Sequence, residues 1–163
     1  MPHSMVKVWI HVVWSTQDRV PLLKGEFKSV LTEHIRQKIE ERGCPVRIVG
    51  GTADHVHALF ALDPEKTLAE VMQTAKGESA HWFNQQKYMQ GRFAWQTGYG
   101  GFSVSPQMLK SVETYIRRQE EHHKRMTFWE EYERFVKLSG LSSVPGADVS
   151  GDESYPISLG LNG

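Results

Sequence analysis

Apolar and polar positions alternate in short runs near the N-terminus and then switch to three- and four-residue steps, so the chain reads as strands interleaved with helices. "VKVWIHVVW", residues 6–14, is rich in β-branched and aromatic residues and stops at the polar "STQDR", which predicts an opening strand. In "GEFKSVLTEHIRQKIEERG" the apolar positions Phe27, Val30, Leu31, Ile35 and Ile39 keep the helical step, and Gly43 stands where helices commonly stop. "CPVRIVGG" predicts a second strand, and a turn at Gly50 and Gly51 would send "HVHALFAL" back antiparallel to it as a hairpin. Pro64 closes that strand. Thr67 is placed to cap a helix that carries Leu68, Val71, Met72 and Ala75 on one face, with Gly77 in its middle, and that runs to about Gln85. "RFAWQTGYGGFSVS" reads as a short hairpin or bulged strand broken by glycines. Ser105 and Pro106 open a helix over "QMLKSVETYIRRQEEHHKRM", and a shorter helix, "FWEEYERFVKL", follows. The order β-α-β-β-α-β-α predicts an α+β fold: a ferredoxin-like, RRM-like antiparallel sheet with helices packed on one face.

At 163 residues the chain has the size of one domain and can bury a core without disulfides. Cys44 is the single cysteine, which excludes an intrachain disulfide and a four-cysteine zinc site. From Ser139 onward glycine, serine, proline and aspartate predominate, so a domain over 1–138 and a C-terminal tail over 139–163 are expected. The apolar start meets Gln17, Asp18 and Arg19 too early for a membrane span and lacks the pattern of an export signal, which points to the cytoplasm and away from membranes. Nineteen basic side chains balance nineteen acidic ones, so net charge says nothing about a nucleic-acid partner.

Two imidazoles are the first sign of chemistry. In "TADHVHALFAL" His55 and His57 share one face of a predicted strand, where buried polar rings need partners, and a divalent cation with a third ligand from elsewhere would serve both. On the long helix after Pro106, Leu109, Val112 and Ile116 form the inward stripe, while Tyr115 and Gln119 are stacked neighbours one turn apart. Taken singly, a tyrosine beside an apolar stripe reads as packing and a His-x-His pair as incidental. Together they place two imidazoles, an amide oxygen and a hydroxyl in one set, suited to Mg²⁺ or Mn²⁺ and to phosphoryl chemistry. Imidazoles with an ordinary pKa near ~6.5 would lose the cation below about pH 6. Lys76 and Arg92, with Trp82, Phe93 and Trp95 nearby, could line a groove for phosphates and bases, or equally be a solvated helix face over core aromatics. Asp54 is a turn residue or a support for His55; His122 and His123 read as surface histidines, with His122 one turn beyond Gln119.

Five segments in order carry a family resemblance: "HVVWSTQDRVPLL", "DHVHALF", "AKGESAHWFN", "GYGGFSVS" and "YIRRQEEHH". The chain resembles the single-tyrosine HUH transposases of IS200/IS605 insertion sequences over most of its length. The resemblance implies the HUH endonuclease fold, with His55, His57 and Gln119 as metal ligands and Tyr115 as the nucleophile. It also implies attack on hairpin-marked single-stranded DNA, a 5′-phosphotyrosine intermediate, and a homodimer whose subunits share active sites. Two alternatives stay open: a related nuclease that processes repeated palindromes or initiates replication, and a catalytically silent ferredoxin-like module that binds nucleic acid.

Overall fold

The computed structural model describes residues 4–119, 126–138 and 140; the tail beyond, with His122 and His123, lies outside them. The elements are β1 (Val8–Ser15), α1 (Gly25–Glu41), β2 (Val46–Gly51), β3 (His55–Leu62), α2 (Leu68–Gln85), β4 (Gly100–Val104), α3 (Leu109–Arg117) and α4 (Phe128–Leu138). Single 3₁₀ turns stand at Gln17–Arg19 and Pro106–Met108. The expected element order is therefore present, but α3 ends at Arg117, where the backbone of Arg118 (φ −97°, ψ 20°) leaves the helical region, so the predicted helix does not run unbroken to Gln119. All pairings are antiparallel and the strand order is β2-β3-β1-β4, with β1 and β3 in the middle. Among the described residues, no helix is long and apolar enough to cross a membrane.

The two central strands are buried on both faces, so the sheet is covered on both sides. Ile10, Val12 and Trp14 of β1 and Val56, Ala58 and Phe60 of β3 pack on Leu31, Ile35 and Ile39 of α1 and on Val71, Met72 and Phe83 of α2. Thr67 caps α2 in a reciprocal box with Glu70, a device worth about 1 kcal/mol. Packing on one face thus holds for α1 and α2. The opposite face, carrying Val13, Leu59, Phe102 and Val104, is covered by Leu109, Val112 and Ile116 of α3 and Phe135 of α4, so the sheet has helices on both sides.

Two glycines set how closely those last helices approach. Gly50 lies across from His57 in the β2–β3 ladder, inside the strand and not in the turn expected there; the turn is formed by residues 52–54. A Cβ on Gly50 would meet Ile116 Cγ2 at 3.1 Å and the Ile116 carbonyl oxygen at 3.3 Å. The bare backbone lets α3 lie down against β2, where Glu113 also reaches Arg47 at 2.9 Å, and this brings Tyr115 over His57. At the other edge a Cβ on Gly100 would meet the Tyr132 ring at 2.8 Å, so this second bare strand position makes room for α4.

Candidate active site

The register of β1 against β3 pairs Val13 with His57 and Ser15 with His55, so both imidazoles rise from the face under α3 and α4. Both are fully buried. Each ring is held from outside through Nδ1. His55 Nδ1 is 2.7 Å from Asp54 Oδ1 and 2.9 Å from the Thr52 hydroxyl, while that hydroxyl donates to Asp54 Oδ1 at 3.1 Å. His57 Nδ1 is 2.7 Å from Nε2 of His11, a buried residue of β1. Fixing Nδ1 aims both Nε2 atoms inward.

They converge on a carboxylate. Glu131 Oε1 is 2.7 Å from His57 Nε2 and 3.4 Å from His55 Nε2, and the Tyr115 hydroxyl donates to Oε2 of the same group. Gln119 Oε1 approaches His55 Nε2 at 3.3 Å, and the Gln119 amide donates back to the Tyr115 carbonyl at 3.4 Å. Tyr115 is only 5 % exposed, and Gln119 and Glu131 are buried. One atom each from His55, His57 and Glu131 lie within 4.8 Å of one another, and two imidazoles with one carboxylate form a donor set that suits a divalent cation. Charge follows the same geometry. Burial works against an imidazolium at His55, yet hydrogen bonds to Asp54 and Glu131 outweigh it and hold the pKa up at about 9. At His11 burial dominates and the adjacent His57 adds to it, so that ring stays neutral well below the usual imidazole range.

The structure therefore brings His55, His57, Tyr115 and Gln119 of one chain together. Asp54 stands beside His55 as a hydrogen-bonding support. Lys76, Arg92 and Trp82 lie elsewhere. Lys76 and Arg92, with His81, Asn84, Trp95 and Gln96, line a groove of about 700 Å³. The Lys76 ammonium donates to the carbonyls of Gln96 and Gly98 at 2.8 and 2.7 Å, and burial lowers its pKa. Phe93 is buried, and Trp95 donates to Ser79 Oγ at 3.0 Å, so both rings also build the core. Trp82 stacks on His34 of α1, with ring centroids 4.3 Å apart.

Sequence reasoning missed Glu131 and His11. In "FWEEYERFVKL" Glu131 occupies a helical step shared with Phe128, Tyr132 and Phe135, an acid on an otherwise apolar stripe. His11 alternates with Trp9 and Val13 on the buried face of β1.

Comparisons with known proteins bear on the family and the fold. The profile of the family described as "Transposase IS200 like" matches residues 4–119. The ISDra2 transposase TnpA of Deinococcus radiodurans is 25% identical over 114 residues, covering 67% of this chain and 81% of that protein. A crystal structure from Deinococcus radiodurans, described as that of a transposase, superposes with a TM-score of 0.58 at 22% identity, over 73% of this chain and 95% of the other. A REP-associated tyrosine transposase bound to a REP hairpin superposes with a TM-score of 0.58 at 14% identity, over 94% of each chain. With the profile spanning the strands, the histidine pair and the tyrosine helix, the chain belongs to the IS200-like transposase family.

Proposed function

We propose that this transposase cleaves and rejoins single-stranded DNA at hairpin-marked element ends through a 5′-phosphotyrosine intermediate formed on Tyr115. The observation that carries the reading is the meeting of the Tyr115 hydroxyl and both histidine Nε2 atoms on one buried carboxylate. The hairpin-bound structural neighbour supports a DNA substrate of that shape.

His55 and His57 would hold Mg²⁺ or Mn²⁺ together with oxygens from Glu131 and Gln119. Such a cation supplies positive charge beside a nonbridging phosphate oxygen. The remaining work falls to the chain's own side chains. Tyr115 presents its oxygen to phosphorus, and its proton passes to the Glu131 carboxylate to which it is already bonded. The new bond joins the tyrosine oxygen to phosphorus; the bond to the 3′-oxygen breaks, and that oxygen takes a proton from solvent. One phosphodiester is exchanged for another, so the energy of the broken bond stays available for rejoining. Thr52 and Asp54 keep the His55 imidazole aimed throughout. The groove with Lys76 and Arg92 suits the backbone of the flanking strand.

Covalent capture tests the reading: hairpin-containing single-stranded DNA incubated with the protein and Mn²⁺ should yield a denaturant-resistant adduct that chelator prevents. A second assay addresses assembly. The family resemblance implies a homodimer whose subunits share active sites. Mixing a Tyr115→Phe chain with a His55→Ala/His57→Ala chain should then restore some cleavage, because one hybrid site would hold intact histidines from one subunit and an intact tyrosine from the other. Cleavage still absent from heterodimers shown to form would mean that each site is built within one chain, as the contact of Tyr115 with His57 in a single chain allows.

A further inference from the structure

His11, the neighbour of His57 Nδ1, is a polar ring in a place that packing alone would give to an apolar one. His11 is 1% exposed and sits among aromatic rings, 4.9 Å from Phe135 and 6.5 Å from Phe102 between centroids. A phenylalanine would suit that environment. What the imidazole adds is a nitrogen 2.7 Å from His57 Nδ1.

The protons on these two rings are linked. An imidazole that binds a cation through Nε2 must keep its lone pair there, so its proton sits on Nδ1. For His57 that proton then points at His11 Nε2, which accepts it only if the proton of His11 resides on Nδ1. Among the described residues His11 Nδ1 has no hydrogen-bond partner. In that tautomer the His11 Nδ1–H has no acceptor among the described residues, a cost that packing alone gives no reason to bear.

We infer that His11 is a positioning residue for the metal centre: it accepts the Nδ1 proton of His57, fixing the tautomer and ring direction that leave Nε2 free for a divalent cation. The inference rests on the metal reading proposed above. Partners of this kind commonly change metal affinity by about 10–100-fold when removed.

The test uses the full chain, with Mn²⁺ as the probe, free Mn²⁺ read by electron paramagnetic resonance, and thermal melts in chelator. His11→Phe keeps the ring and removes the acceptor; His11→Gln keeps an acceptor oxygen. The expectation is a roughly 10–100-fold weaker Mn²⁺ dissociation constant for His11→Phe, with a metal-free melting temperature no lower than wild type. His11→Gln should stay within a few-fold of wild type. A purely structural histidine would show the reverse: a lower melting temperature in chelator and unchanged affinity. Wild-type affinity in His11→Phe overturns the inference; if that variant does not fold, His11→Gln folding normally but binding Mn²⁺ as weakly as His57→Ala overturns it. Absence of Mn²⁺ binding by the wild type would remove the metal reading and this inference together, whereas equal affinities remove the inference alone.

Discussion

Tyr115→Phe should abolish the covalent DNA adduct, lowering its yield at least ~10³-fold, the scale on which enzymes fail when a nucleophile is deleted. Only one oxygen is lost. The ring still packs on Phe135 and His57, with centroids 6.0 Å away in each case, so the α3 helix keeps its place. Hairpin binding should therefore stay within about twofold of wild type, because the groove and sheet are untouched. The vacated hydrogen bond leaves Glu131 Oε2 without its hydroxyl donor, and a buried acceptor stripped of its donor costs about 1–3 kcal/mol. A modest fall in melting temperature should thus accompany a complete loss of adduct. Gel analysis of the adduct beside hairpin binding by fluorescence anisotropy separates the two effects.

The second large effect concerns the cation. His57→Ala should remove Mn²⁺-dependent cleavage by ~10²-fold or more, and wild-type activity should vanish in chelator and return on adding metal back. Glu131→Gln should also cut cleavage, because it weakens one ligand and replaces the group that takes the tyrosine proton. The sign matters here: a faster Glu131→Gln enzyme would mean that the carboxylate obstructs the site. The pH dependence departs from what unshifted imidazoles predict. With its pKa raised from 6.5 to about 9, His55 carries a proton at neutrality in the metal-free protein, and a cation must displace it. Mn²⁺ affinity should therefore climb by up to about tenfold per pH unit from neutrality toward 9, well above the limit near pH 6 expected from the sequence. The same proton stabilises the metal-free fold. Its contribution is complete below about 6.5, the unfolded value, and is lost as pH rises through about 9. Melts in chelator between those limits should show stability falling with rising pH, and saturating Mn²⁺ should flatten the trend.

The histidine pair, the tyrosine and the glutamine were legible because each carries its own periodicity. His55 and His57 share a strand face through the two-residue repeat, and the four-residue step puts Gln119, two residues past the end of α3, beside Tyr115 in its last turn. Which helix covers which side of the sheet is set by long-range packing, so the second layer formed by α3 and α4 was not visible in local pattern. Gly50 misled for a similar reason: a Gly-Gly pair signals a turn, yet here the bare position serves the approach of Ile116. Glu131 was hidden among look-alikes. Glu130 closes a capping box with Thr127, and Glu133 is buried like Glu131, so the helix offers three glutamates and no local rule picks out the one that faces the histidines. His11 lies in a strand of apolar residues, and only the register of β1 against β3 shows which imidazole it touches.

The central claim is that the oxygen of Tyr115, and no other group, takes the DNA. Trypsin cleaves after Lys110 and Arg117, so Tyr115 falls in the peptide "SVETYIR", Ser111–Arg117. Protein incubated with a hairpin-containing single strand in Mn²⁺, digested with nuclease and trypsin, and analysed by mass spectrometry should yield this peptide carrying a nucleotide phosphate on its tyrosine. The same digest prepared in chelator should yield it unmodified. An adduct on any other peptide, or an unmodified "SVETYIR" in a sample where covalent DNA has formed, would contradict the account.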